Sequence, residues 1–122
     1  MIHSRYCAKQ HWMMHTAEFE ITVTDLLSAT AHWFSHPKFH AQAPVIWHLG
    51  MARMGMSLEE MRVVYASVRA AVHGKRDGGK TAWVHYSTLV RSVIDLVHGE
   101  FDWGSEWRTF EHLADAQDWC RD

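Results

Sequence analysis

The sequence predicts one α/β domain, with a mixed and mostly parallel sheet flanked by helices in the order β-β-α-β-α-β-α-β-α. Three observations lead there. Short extended runs alternate with apolar stripes at helical spacing. Thr22, Ser57 and Ser87 stand where helix N-caps belong. The connections between runs are short, which makes the later strands parallel through right-handed crossovers. At 122 residues, 48% of them apolar, the chain suits one core and is too short for two ordinary domains, so residues 1–122 are read as a single domain.

The first twenty residues read as a hairpin, with strands over about 2 to 8 and about 11 to 19 and Lys9-Gln10 as the turn. Thr22 caps the first helix and Asp25 sits in its first turn, where a carboxylate favours the positive helix end. Val23, Leu26, Leu27, Thr30 and Phe34 form its apolar stripe, and the helix stops before Pro37. Val45-Ile46-Trp47-His48-Leu49 is a nearly continuous apolar run, as a buried parallel strand requires. Gly50 to Met56 reads as a loop. Ser57 and Glu60 form a capping box opening a second helix with Leu58, Met61, Val64, Tyr65, Val68 and Val72 on one face.

Thr81 to Tyr86 reads as the next strand, Ser87 caps a third helix carrying Leu89, Val90, Val93, Ile94 and Val97, and Gly99 closes it. A last strand over about 105 to 110 holds Trp107 and Phe110. A final helix follows with Leu113, Ala116 and Cys120, and Trp119 lies beside that stripe.

Composition excludes several classes. The formal net charge of -2 is too small to imply a polyanionic partner, and residues 100–122 carry two arginines against seven carboxylates, so nucleic acid is not an expected partner. No run reaches the roughly 18 to 20 apolar residues of a membrane span, and no signal-type block follows Met1 to Arg5, so a cytoplasmic protein is expected. Two cysteines, Cys7 and Cys120, make no disulfide framework and read as reduced and at least partly buried.

Gly74-Lys75-Arg76-Asp77-Gly78-Gly79-Lys80-Thr81 matches the phosphate-loop pattern G-x-x-x-x-G-K-[ST]. A working phosphate loop follows a strand and opens a helix, so that amide groups and the helix dipole converge on the anion. Here the helical pattern comes before it and the extended one after it. The match reads as a turn, with Gly74 left-handed at a helix end and Gly78-Gly79 reversing the chain. Nucleotide binding through residues 74–81 is the lesser alternative.

The helix entry Thr22-Val23-Thr24-Asp25-Leu26-Leu27, the strand Pro44 to Leu49, Thr81-Ala82-Trp83-Val84 before a capped helix, and Phe110-Glu111-His112-Leu113-Ala114-Asp115-Ala116 ending in Trp119 together resemble the SpoIIAA-like proteins. These belong to the STAS fold group, named for sulfate transporters and anti-sigma-factor antagonists. The resemblance covers nearly the whole chain. It implies a SpoIIAA/STAS-like domain acting as a non-catalytic regulatory or protein-interaction module. In the antagonists a serine at the start of the second helix is phosphorylated, and Ser57 holds the matching place. His48 stands where they have aspartate, and the loop from Gly50 to Met56 lacks their acidic and small residues. The fold group also includes small-molecule and lipid binders, which makes a small apolar ligand the other alternative.

Among candidate residues, His48 and His85 fall near the carboxyl ends of neighbouring strands, the edge where open parallel sheets place ligands, and form the expected ligand edge. Met54 and Met56 could supply adaptable partner contacts beside Ser57. Successive right-handed crossovers are expected to crowd the helices onto one side of the sheet. Trp83 and Ile46 would then lie on the open side as a homodimer contact or an apolar ligand patch. His32, His36 and His40 recur every four residues, but Pro37 breaks their helix and no cysteine or carboxylate joins them, so no metal is assigned. No nucleophile elbow and no identifiable Cys-His pairing occurs, so neither an enzyme nor a cofactor is expected.

Overall fold

The computed structural model describes residues 1–72, 79–101 and 106–122. Its elements are β1 (Ile2–Cys7), β2 (Trp12–Ala17), β3 (Glu20–Ile21), α1 (Val23–Phe34), β4 (Val45–Gly50), β5 (Arg53–Met54), α2 (Leu58–Val72), β6 (Lys80–His85), α3 (Thr88–His98), β7 (Glu106–Phe110) and α4 (Leu113–Arg121). The main sheet runs β1-β2-β4-β6-β7. The β1–β2 pair is antiparallel; β4, β6 and β7 continue the sheet in parallel from β2. This is the α/β class that the strand and helix signals predicted. Among the described residues no helix is long and apolar enough to cross a membrane.

The helix starts follow from local chemistry. At α1 the Thr22 hydroxyl accepts from the Asp25 amide at 3.2 Å, and the Asp25 carboxylate accepts from the Thr22 amide at 2.9 Å. That backbone hydrogen bond is the main reason the Asp25 carboxyl lies below its usual pKa. At α2, Ser57 and Glu60 form the same reciprocal pair at 3.1 and 3.0 Å. Ser87 caps α3 by accepting from the Val90 amide. Gly99 ends α3 with φ -64°, in right-handed rather than left-handed geometry.

Two features differ from the sequence reading. The second strand stops at Ala17, and Phe19 turns the chain with φ 63°. Glu20–Ile21 then pairs in parallel with Arg53–Met54 inside what reads as a plain loop. Two-residue strands carry no periodicity, so no sequence pattern announces them. Gly50 enters this region at φ 60°, a conformation costly for other residues, and a Cβ on Gly55 would strike the Glu20 side chain. The second difference concerns the helices. Helices α1, α2 and α3 cover one sheet face, whereas α4 packs on the other against β4, β6 and β7. Among the described residues α4 does not connect two parallel strands, so no crossover rule holds it to the first side. Both faces are therefore covered: one core contains Met13, Trp47, Trp83 and Ile94, the other Trp12, Ile46, Val84 and Cys120.

Most of the glycine-rich pattern, including its expected left-handed Gly74 and the Gly78 part of the turn, lies outside the described residues. On its flanks α2 arrives and β6 departs, the reverse of a phosphate loop. Lys80 lies on β6, where its ammonium donates to the Trp119 carbonyl at 2.8 Å and stands 5.0 Å from that indole's centre.

Candidate functional site

On the face covered by α1–α3, register places three rings in a row. His15 of β2 is opposite Trp47 of β4, which is opposite Trp83 of β6. The His15 and Trp47 rings are 4.2 Å apart, and Trp47 stacks on Trp83 at 4.8 Å with planes within 6°. Tyr65 of α2 and His98 of α3 close over Trp83, and His98 stacks on Trp107 of β7 at 4.6 Å. Cross-strand aromatic pairs of this kind contribute about 0.5–1.5 kcal/mol each beyond the area they bury. The row is therefore rigid as well as apolar.

The row of rings does not fill the whole space beneath the helices. A cavity of about 60 Å³ remains between this row and α1 and α2. Its floor is His15, Trp47 and Trp83; its roof is Leu26, Thr30 and Trp33 of α1 with Val64, Tyr65 and Val68 of α2; His98 and Trp107 close one end. A groove of about 390 Å³ runs outside between α1 and α2, and Thr30, Phe34 and Val68 line both spaces. These three side chains form the wall between cavity and solvent.

The lining is apolar except at a few atoms. His15 is 1%, Trp33 2% and Trp83 5% exposed. His15 Nε2, Trp33 Nε1 and Trp83 Nε1 have no hydrogen-bond partner among the described residues. Leaving one such group unsatisfied costs about 1–3 kcal/mol, and buried polar atoms are satisfied in the great majority of cases. All three residues are among those that line the cavity. Desolvation lowers the pKa of both His15 and His98 to about 3, with the nearby His32 adding to the effect at His15, so both rings are neutral near pH 7. Desolvation likewise pushes the Tyr65 phenol well above its usual value.

His15 Nδ1 lies 2.7 Å from the Ser4 hydroxyl. The pair has the spacing of a nucleophile and its base, but an imidazole that protonates only near pH 3 does not accept a hydroxyl proton at neutrality. The bond instead orients the ring. Comparison with family models, curated proteins and solved structures finds no match to this chain.

The cavity lies at the amino ends of the parallel strands, beside Val45, Thr81 and Trp107, away from the carboxyl edge where His48 and His85 were expected to form a ligand edge. That edge is closed by the β3–β5 ribbon, whose Ile21 is fully buried. His48 and His85 also point to opposite faces, because His48 follows Ile46 on the α4 side whereas His85 follows Trp83 on the other. His85 is a structural residue: its Nε2–H donates to the Ala52 carbonyl and its Nδ1 accepts from the Ser87 amide, both at 2.9 Å. His48 is half-buried, and desolvation lowers its pKa.

Trp83 is not on an open surface. It is buried under α2 and α3, and Ile46 is buried beneath α4, so the two do not share a patch. The expectation failed because Trp83 lies on the face that α1–α3 cover, and α4 covers the other face over Ile46. Ser57 is exposed at its cap, and Met54 and Met56 are half-buried against the α1–α3 core. The rings of His32 and His36 meet edge-on at 5.8 Å, and His36 Nδ1 accepts from the Lys38 amide. The sequence reading missed His15, Trp33 and Trp47 as site residues. Alternation along β2 places Met13 and His15 on one side, and with Trp47 and Trp83 at matching places in later strands it was the available signal; the polar residues on both faces of β2 obscured it.

Proposed function

We propose that the protein is a small-molecule-binding domain whose site is the aromatic cavity between the sheet and helices α1 and α2. The observation that carries this reading is the cavity of about 60 Å³ itself, lined by His15, Trp33, Trp47 and Trp83 and by apolar side chains of α1 and α2. Ligand sites are typically apolar enclosures with a few placed polar groups. Resemblance to the SpoIIAA-like proteins is compatible with it. The test is a ligand-observed NMR fragment screen at neutral pH, repeated on Thr30→Phe, which places a ring at the cavity wall. Fragments that bind the unmodified protein and are lost from Thr30→Phe support the reading; a screen whose hits are all indifferent to Thr30→Phe overturns it.

A second reading, the regulatory interaction module, draws on the carboxyl edge. Phe19 and Met51 are 81% and 82% exposed there, and Tyr86 and the Ser57 helix start belong to the same edge. On this reading the edge docks a protein partner or a second copy of the chain, and a phosphate on Ser57 would alter it through charge at the helix start. Sedimentation across a concentration series tests the homodimer. A monomer at every concentration, unaffected by Phe19→Ser, removes self-association.

A further inference from the structure

We infer that the carboxyl edge of the sheet docks a positively charged segment of another protein, anchored by an apolar side chain of that segment against Phe19, Met51 and Tyr86. The inference rests on the second reading above and names the partner's chemistry. Phe19 and Met51, at 81% and 82%, are the most exposed large apolar side chains among the described residues, and Leu89 and Tyr86 of the same edge are 74% and 46% exposed. Single exposed apolar residues are ordinary. Several gathered at one end of a molecule mark an interaction surface.

The backbone holds the loops that carry these side chains together. The Arg53 amide donates to the Phe19 carbonyl at 2.8 Å, where the β3–β5 pairing begins, and the Tyr86 amide donates to the Gly50 carbonyl at 3.0 Å. Three loops are thereby tied to one another by main-chain bonds, so the edge needs little ordering when a partner binds. Phe19 has φ 63°, a conformation that bulky residues rarely adopt, and it does so with its ring in solvent. Burial within the chain does not offset that conformation, and strained backbone of this kind concentrates at binding sites.

Charge selects the partner. Glu18 and Glu20 flank Phe19, Glu60 lies in the first turn of α2, and Glu111 follows β7, where the ring of its neighbour His112 is 6.4 Å from that of Tyr86. The guanidinium of Arg53 is engaged with Glu20 at 3.4 Å, and that of Arg91 donates to the His85 carbonyl at 2.6 Å. The described lysines, Lys9, Lys38 and Lys80, all stand at the opposite end of the strands. An edge with exposed apolar side chains among carboxylates suits a partner that carries lysines or arginines beside its apolar anchor. A second copy meeting this edge with its own would oppose like charges, and an anionic lipid surface would be repelled.

Random short peptides displayed on phage are selected on the full chain, and the recovered peptides are synthesised and titrated by fluorescence anisotropy at low and at high salt. The expected peptides carry an aromatic or long aliphatic residue beside lysines or arginines and bind less tightly as salt rises. Phe19→Ser and Met51→Ser, both at exposed positions, each weaken them at least about tenfold, and Glu18→Lys combined with Glu111→Lys weakens them and flattens the salt dependence. Thr30→Phe, in the cavity wall, leaves them unchanged, which separates this edge from the cavity reading. Neutral or acidic peptides that are lost in Phe19→Ser overturn the basic partner while the edge remains a docking surface. Failure to recover any peptide, or recovery of peptides indifferent to both serine variants, overturns the edge reading as well. A dimer lost in Phe19→Ser assigns the edge to a second copy, and binding to phosphatidylglycerol vesicles lost in the same variant assigns it to a membrane; either result overturns the inference.

Discussion

Lowering the pH from 7 to 5 should destabilise this protein through two buried imidazoles. His15 and His98 each titrate at 6.5 when free of the fold and at about 3 inside it, chiefly because burial disfavours the charged ring. Between these values the unfolded chain takes up a proton that the folded protein refuses, so stability falls as pH falls. Above about pH 6.5 the effect is absent. By pH 5 each group costs about 2 kcal/mol, and the pair about 4 kcal/mol, a large share of the 5–15 kcal/mol typical of a domain. His48, also shifted down by burial, acts with the same sign. The assay is urea unfolding followed by tryptophan fluorescence at pH 7, 6 and 5, on the unmodified protein and on His15→Phe. The variant cannot take up that proton, so its stability deficit relative to the unmodified protein should shrink by about 2 kcal/mol between pH 7 and pH 5. A difference that does not change with pH would show that His15 is not held neutral by burial.

Three other outcomes are expected. Ser57→Ala removes one half of the α2 capping box and should lower stability by about 1 kcal/mol, read as a shift in the urea midpoint without a change in slope. Gly50→Ala, at φ 60° with open space around the added methyl, should cost about 1–2 kcal/mol from backbone strain alone, and the corresponding drop in thermal midpoint checks it. Calorimetry with a magnesium nucleotide should show no heat of binding to the unmodified protein, while Lys80→Ala should lower stability through loss of the Trp119 carbonyl contact; measurable heat that vanishes in Lys80→Ala would revive the phosphate-loop alternative.

The local grammar of the chain was legible because it depends on neighbours in sequence. Thr22 with Asp25 and Ser57 with Glu60 specify helix starts through bonds that span three residues. The helical stripes, the apolar run of β4 and the helix-then-strand order around the double glycine are short-range in the same way. Together these determine the fold class. What the sequence did not reveal depends on which strand lies beside which and on which face each helix lands. The β3–β5 pair joins residues 20–21 to 53–54, too short for any period to show. The position of α4 decided that Ile46 is core rather than surface, and Trp83 is core because it lies on the face that α1–α3 cover. The cavity is the most tertiary feature of all. Its lining residues His15, Trp33 and Trp83 come from β2, α1 and β6, and only the packing of α1 and α2 over a row of stacked rings brings them around one space, because volume left unfilled is a property of the assembled layers and of no segment alone.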